Sequence, residues 1–585
     1  MVPVLDEGIV TIFERVVDGR RYRIAAQSLW DRVRQRPFAR QAVLGPADAA
    51  PVADLGQTRT VGSRRVGDIG ALAWVAEQLD LVRVIDRACS TPGPRQGPTV
   101  GEMVVTVAVQ RACAPAAKRH LPTFLSSCVP RVSCLPPAAF TGQAFHRLAG
   151  QVTEAQLEQA QIEIARGAVE RFELATDVLA FDTTNFDTHI ATTTPGTLAR
   201  RGHAKSKRGD LRVVGLAVLA SETGHVPLLH RTYPGNGADQ TVLGTCLEGL
   251  GQLHRALDHA EGRRRPAART LVRDGGSWSP QLELELDVEG YHTLISLPLG
   301  HGAAEQALAH AAQRGVMKRL GGALGEVRAA RLRTRVGELD RTLVVVESQE
   351  LRRGQKRGIA VALRKAKGAL RRLARRAASG ALDRETLERR VQQTLQREYL
   401  AAFVVTTVTH RAGRLTLRWH VDTPRRRELE RTRLGRRVLC TDHHLWSTGR
   451  IVHAFRGQWN VEELFRRAKK GGVAPWGPSY QWADSSLRLH TFATVIGLTL
   501  VSLARLALGP RLSVVGMMRE LAAIRATLVR TTTGQAGRQP TVMLAPALSP
   551  LQRKAVATFE LARWMPTLSS SRPSNPSSSA KDPAA

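Results

Sequence analysis

Between Val178 and Leu297 the hydrophobic residues change period several times, and this alternation constrains the fold more than any other feature of the chain. Val178 to Phe181 is a short apolar run, Leu211 to Ala220 is a second one rich in Val and Leu, and His225 to Tyr233 is a third after the turn at Gly224. They read as three successive antiparallel strands. A helical stretch follows from about Asp239 to Leu257, then a strand over Thr270 to Arg273, a short helix near Pro280 to Leu286, and a strand over His292 to Leu297. The order β-β-β-α-β-α-β predicts an α/β fold built on a mixed sheet flanked by helices.

The flanks differ in character. Ile9 to Ile24 carries strand-like residues on either side of Asp18-Gly19, a two-residue hairpin signal, so residues 1–60 are expected to be a small β element. Residues 61–174 have helical spacing in runs such as Ala71 to Cys89 and Val100 to Cys113, with Pro-rich joints near Pro92, Pro130 and Pro136. Thr153 with Gln156 forms a capping box for the last helix of this all-α segment. The core pattern, 175–298, is then interrupted by a basic section over 299–445. Its centre, Leu351 to Leu382, has eleven Lys or Arg and no acid, while Ile359, Leu363, Ala366, Leu370 and Leu373 repeat at helical spacing, so one face packs and the other is cationic. A strand pair, Ala402 to Thr409 and Leu415 to Val421, turns through Gly413. Residues 446–565 hold a helical block from about Asn460 to Leu508, and 566–585 form a Ser/Pro-rich tail expected to be disordered.

Charge narrows the function. Lys and Arg number 85 against 51 Asp and Glu, a formal charge of +34, which repels itself unless a polyanion such as nucleic acid shares the surface. The longest late apolar run, Thr491 to Ala504, is interrupted by Arg505 and reads as a buried helix rather than a membrane span. Asp6 and Glu7 stand where an export signal carries positive charge, so a cytoplasmic protein is expected. The six cysteines include no C-x-x-C pair, against both a zinc finger and a disulfide scaffold.

Two apolar strands end in a carboxylate: Val178-Leu179-Ala180-Phe181-Asp182 and Leu271-Val272-Arg273-Asp274, the second followed by Gly275-Gly276. Side by side in one sheet, these acids converge at its rim, where oxygen ligands hold a hard divalent cation against a phosphate. Taken singly, each could merely start a turn. A third acid lies in the stretch from Phe455 through Gln458, Glu462 and Arg466 to Lys469. On a continuous helix Glu462 and Lys469 nearly eclipse, and Phe455 and Gln458 share that face if the helix begins early enough. An exposed amphipathic helix with a Glu462–Arg466 pair would produce the same pattern.

These residues together resemble the DDE transposases of bacterial insertion sequences, in particular the IS-four-like group with a Tyr-Arg-Glu-Lys signature and its long-insertion branch. The resemblance runs through Phe181-Asp182-Thr183-Thr184-Asn185-Phe186, Gly202-His203-Ala204-Lys205 with Arg208-Gly209-Asp210-Leu211, Gly235-Asn236 with Asp239, and Asp274. It continues through Phe455, Gln458, Glu462 and Lys469 at the signature spacing, and through Trp482-Ala483-Asp484 with His490. Phe455 stands where the signature has Tyr, Gln458 where it has Arg, and Gly275 where Arg commonly follows the second Asp. Glu463 rivals Glu462 as the third acid; Val461 matches the apolar residue expected before it and favours Glu462.

The resemblance implies an RNase H-like core interrupted by a long α+β insertion and preceded by the helical segment. Asp182, Asp274 and Glu462 would be catalytic and hold two Mg²⁺ or Mn²⁺ ions. Lys205, Arg208, Phe455, Gln458, Arg466 and Lys469 would contact DNA near the site, and the helical N-terminal segment 61–174, as a DNA-binding domain, would grip the terminal inverted repeats together with Arg371, Arg372, Arg375 and Arg376 of the insertion. The implied activity is cleavage at terminal inverted repeats and strand transfer into target double-stranded DNA, by a homodimer when two ends are paired, in the cytoplasm at the nucleoid. A non-catalytic DNA-binding repressor derived from a transposase, or an RNase H-like nuclease without strand transfer, are the alternatives. Trp278 and Trp446 are candidates for stacking on an unpaired base.

Overall fold

The computed structural model describes residues 10–564 apart from 18–19, 32–35, 47–57, 91–94, 96, 130–132, 192, 264–266, 314, 398, 412–413, 471, 532–540 and 545–547; the 566–585 tail lies outside the described residues. Strands β1 (Val10–Val17), β2 (Arg20–Asp31) and β3 (Arg36–Pro46) form an antiparallel meander. Val17 stands opposite Arg20, and the Asp18-Gly19 turn expected from the sequence lies outside the described residues. After β4 (Thr58–Arg65) the described residues form the helices α1 (Gly67–Gln78), α2 (Leu81–Ala88), α3 (Val100–Cys113), α4 (Leu121–Ser126), α5 (Gly142–Gln151) and α6 (Glu154–Phe172). The Thr153/Gln156 capping box starts α6, as its sequence predicts. The run from Ala71 to Cys89 is two helices rather than one: Asp80 adopts φ 46°, a left-handed conformation that a short polar side chain tolerates.

The central sheet begins with β5 (Val178–Thr188), β6 (Arg212–Ser221) and β7 (Pro227–Pro234), all antiparallel. Helix α7 (Asp239–Ala260) leads to β8 (Thr270–Arg273), and α8 (Pro280–Val288) to β9 (His292–Leu297). β8 lies parallel to β5 and β9 parallel to β8, which gives the order β7-β6-β5-β8-β9.

The sheet does not stop at 298. Beyond α9 (Gly302–Ala312) it gains β10 (Lys318–Arg319), β11 (Arg328–Val336) and β12 (Leu339–Glu347). Here the chain leaves through α10 (Gln349–Ala378), α11 (Arg384–Leu395), the hairpin β13 (Val404–Arg411) with β14 (Arg414–Val421), and α12 (Thr423–Thr432). It returns as β15 (Arg436–Thr441), which fits between β12 and β9 and completes nine strands. The boundary expected at 298/299 therefore falls inside the sheet. The reason is packing: Leu343, Val345, Val438 and Cys440 share an apolar cluster with Ile295 and Leu297 of β9. The excursion proper has its own core, in which Ile359, Leu363, Ala366, Leu370 and Leu373 of α10 face Leu387, Val391, Phe403 and Leu417.

The chain ends in α13 (Thr448–Arg456), α14 (Trp459–Lys470), α15 (Asp484–Leu508), α16 (Val514–Ala523), β16 (Arg525–Thr531), β17 (Thr541–Leu544) and α17 (Pro550–Thr558). β16 pairs with β4, joining the last part of the chain to residues before the first helix. Helix α15 is long and apolar enough to cross a membrane, but it is mostly buried within the protein, packed on α3, α5 and β7. One apolar cluster joins Met103 and Val107 of α3, Leu216 of β6 and Phe492 and Val501 of α15. The helical segment 61–174 thus shares its core with the sheet and does not enclose one alone.

Candidate active site

Position follows from register. Ala180 of β5 pairs with Val272 of β8, and both strands run the same way, so Asp182 and Asp274 each lie two residues further on, where β8 ends; β5 itself does not end at Asp182 but continues to Thr188 against β6. Neighbouring strands are about 4.8 Å apart. Asp274 caps a short turn, its carbonyl accepting from the Ser277 amide at 3.1 Å and the Ser277 hydroxyl at 2.9 Å, and its carboxylate is exposed. Gly275 is required there: a Cβ would meet the Ser296 carbonyl at 2.4 Å. Behind Asp274, the buried Arg273 pairs with Glu283, which also accepts from the Thr293 hydroxyl at 3.1 Å and locks β8 to α8 and β9.

Glu462 comes from the first turn of α14. That helix lies on β5 and β6 through Val461, Leu464, Phe465 and Ala468, and its start is tied down by Asn460 donating to the Glu222 carbonyl at 3.0 Å. The two adjacent glutamates have different surroundings. Glu463 pairs with Arg466 and, at 3.2 Å, with the buried Arg467. Glu462 has no ion pair or side-chain hydrogen bond among the described residues, and its charge acts on Asp182. Burial pushes the Asp182 carboxyl up to about 6; Lys205 and the Thr183 amide, which donates at 2.7 Å, oppose the shift, while Asp274 and Glu462 add to it. Asp274 and Glu462, from separate parts of the chain, thus both act on Asp182.

Lys205 is placed by its loop. Its amide donates to Asn185 Oδ1 at 3.0 Å, Asn185 Nδ2 donates to the His203 carbonyl at 2.8 Å, and the Lys205 ammonium donates to the Thr183 carbonyl beside Asp182. The loop can sit so low because residue 202 is glycine: a Cβ there would lie 2.1 Å from the Gly235 carbonyl. Arg208 is further out, in an exposed pair with Asp210 at 2.6 Å that holds the Asp210 carboxyl down at about 2.

The Phe455–Lys469 stretch does not present one continuous face. The chain turns at Gly457-Gln458 between α13 and α14, so the helical phase assumed across it is lost. Phe455 is 5% exposed, packed with Val178, Val272 and Leu294 under the Arg437 guanidinium at 5.2 Å, and Gln458 is 5% exposed. Neither side chain is on the surface where a DNA strand would run. Arg466 is exposed, pairs with Glu463 and lies 6.0 Å from the Trp459 ring centre. Lys469 reaches toward β5, its ammonium 5.8 Å from the ring centre of Phe186, which in turn stacks on Trp476. Arg371, Arg372, Arg375 and Arg376 are exposed on α10, opposite its buried stripe, and none makes an ion pair among the described residues.

Trp446 is stacked on His443 at 3.6 Å and covered by Arg450 at 4.0 Å, and Trp278 packs edge-on to His301, so both aromatic rings have protein partners. His490 is buried, bonded to the Trp476 carbonyl at 2.8 Å and to Lys118 at 3.2 Å; Asp484 accepts from the Thr197 amide at 2.6 Å. Both hold the fold around the site. A further constellation, His292 with Asp442 and His443, escapes a reading by sequence neighbourhood. Its available signal is a third apolar run ended by an acid, Val438-Leu439-Cys440-Thr441-Asp442.

The donor set of Asp182, Asp274 and Glu462 is all oxygen and fits hard divalent cations, whose charge would relieve the mutual repulsion that Asp182 registers. Their ligand atoms are not drawn into a group within 4.8 Å of one another, a spacing reached among the described residues by His292, Asp442 and His443. Ligands that flank two ions stand further apart than those around one.

No family model matches the chain, and no curated protein matches it. Among solved structures, the cryo-EM structure of a piggyBac transposase synaptic complex with hairpin DNA is similar over 78% of each chain, with a TM-score of 0.36 and 10% identity. So slight a likeness carries no functional conclusion.

Proposed function

We propose that this chain is a DDE transposase with an RNase H-like core, acting on double-stranded DNA at terminal inverted repeats. The observation that supports it is the register that sets Asp182 of β5 near Asp274, just past the parallel β8, with Glu462 of α14 close enough for its charge to act on Asp182. The β7-β6-β5-β8-β9 order, antiparallel through its first three strands and parallel through the rest, agrees with that core.

Asp182, Asp274 and Glu462 would hold two Mg²⁺ or Mn²⁺ ions, which supply activation of a water or 3′-hydroxyl and stabilisation of the leaving oxygen in an in-line displacement at phosphorus. Lys205, anchored on the Thr183 carbonyl, keeps a positive charge at the rim where a phosphate would approach and moderates the pKa of Asp182. Lys469 and the exposed Arg466 extend the cationic side of α14. The α10 arginines are the remote grip, through phosphate contacts that position without reading sequence. Pairing two transposon ends calls for two copies of the chain, and the substrate places the work at the nucleoid in the cytoplasm.

Incubation with Mg²⁺ and DNA carrying the flanking inverted repeats, scored for joined as well as cut product, tests the reading. Cutting with joining supports a transposase; cutting alone identifies a nuclease, and binding without either identifies a repressor.

A further inference from the structure

We propose that His292, Asp442 and His443 form a second cation site, suited to a borderline-soft divalent metal such as Zn²⁺ and separate from the carboxylate rim. It does not depend on the transposase reading. His292 opens β9, and Asp442 with His443 follows β15 directly. They gather at the end of the sheet opposite Asp274, about 13 Å away along the four residues of β8 at about 3.3 Å per residue.

The ligand atoms of the three lie within 4.8 Å of one another, and the imidazole centres are 4.2 Å apart. Two imidazoles and one carboxylate select Zn²⁺, Co²⁺ or Ni²⁺ over Mg²⁺, which prefers oxygen alone. Three protein ligands leave a fourth position open, and His292, 40% exposed, gives an ion access.

The surroundings orient each group. Asp442 Oδ1 accepts from the Thr293 amide at 2.9 Å and Asp442 Oδ2 stands 2.6 Å from His292 Nδ1, so an ion held by both would take the place of the proton between them. The Thr270 hydroxyl meets His443 Nε2 at 2.7 Å, which leaves Nδ1. The His443 ring lies flat on Trp446, whose carbonyl accepts from Arg331 at 2.6 Å. Such outer contacts fix ring orientation before a metal arrives. A pin between β9 and β15 would need only His292 and Asp442; the second imidazole, held independently from β8, is what a metal requires and a pin does not. An ion here would clip β9 to the strand that returns after the excursion, closing a loop of 150 residues.

The test uses the full chain, stripped with chelator and then kept in excess Mg²⁺ to saturate oxygen-only sites, and titrated with Zn²⁺ by calorimetry and with Co²⁺ by visible absorption. The expected result is a single Zn²⁺ per chain and a Co²⁺ spectrum with nitrogen ligation. His443→Asn and His292→Gln should each weaken binding by about tenfold or more, while the exposed His453→Gln leaves it unchanged. Asp442→Asn keeps the acceptor for the Thr293 amide, so weaker binding with an unaltered circular dichroism spectrum separates ligand loss from unfolding. Absence of Zn²⁺ uptake by the parent chain, or equal affinity in the His292, Asp442 and His443 variants, overturns the proposal.

Discussion

Asp182, within β5, and Asp274, just past the end of the parallel β8, stand at equal offsets: Ala180 and Val272 are register partners, and Asp182 follows the one and Asp274 the other by two residues. Side chains alternate along a strand, so equal offsets put both acids on one face. If this pairing carries catalysis, Asp182→Asn, Asp274→Asn and Glu462→Gln should each lower DNA cleavage by at least about a hundredfold while filter binding of DNA changes little. Glu463→Gln should instead reduce stability, by about 1–3 kcal/mol, because it weakens the partner of buried Arg467, and leave cleavage per folded molecule intact.

The raised pKa of Asp182 fixes the sign of a pH effect. Between an ordinary value near 4 and about 6 the folded form holds this proton more tightly than the unfolded chain, so without metal the group favours folding as pH falls through that window. Above pH 6 it is ionised in both states and its burial costs in full. Mg²⁺ should therefore raise the melting temperature more at pH 8 than at pH 5. In Asp182→Asn most of that difference should disappear, and the metal-free protein should melt higher at pH 8 than the parent. Equal Mg²⁺ shifts at the two pH values would contradict this account of the site.

For α10, replacing Arg371, Arg372, Arg375 and Arg376 with Ala should flatten the dependence of log affinity on log salt by up to about 3–4, roughly 0.9 for each phosphate that is no longer neutralised. Melting should barely move, since these side chains are exposed. Leu370→Ala removes a side chain 1% exposed and should cost about 2–5 kcal/mol, visible in denaturant unfolding. An unaltered salt slope in the quadruple variant would show that the helix face meets only solvent.

Burial also decides what restoring the signature residues does. Gln458→Arg forces a charge into a site 5% exposed and should destabilise the protein instead of improving cleavage. Phe455→Tyr adds a hydroxyl beneath Arg437 among apolar neighbours and should lower the melting temperature modestly. Lys469→Ala, on the exposed side of α14, should weaken cleavage with little change in melting. Faster cleavage by folded Gln458→Arg would show that this side chain reaches the substrate after all.

The acids after the apolar runs are legible in sequence because such runs, turns and carboxylates are local signals, but β5 does not end at Asp182 as its sequence suggests: it runs on to Thr188, paired with β6. The extension of the sheet is not legible, since Arg328, Arg331, Arg333 and Arg335 make β11 look like part of the basic section while Ala329, Ala330 and Val336 do the packing. The Phe455–Lys469 face misleads for another reason. Helical phase survives only while the helix does, and Gly457 ends it. The His292–Asp442–His443 group joins residues about 150 positions apart, and proximity at that range leaves no periodic trace.

The excursion of α10 to α12 departs and returns through a narrow neck. Glu347 pairs with Arg436 across β12 and β15, and the Ser348 amide donates to the Gly435 carbonyl at 2.8 Å. Its two ends are therefore as close as the arms of a hairpin. Residues 349–434 are a removable module: a short turn could replace them without asking any strand of the sheet to move, and another folded unit with adjoining ends could be grafted in their place. On the proposed function, such a graft would exchange the remote grip on DNA separately from the carboxylate site around Asp182.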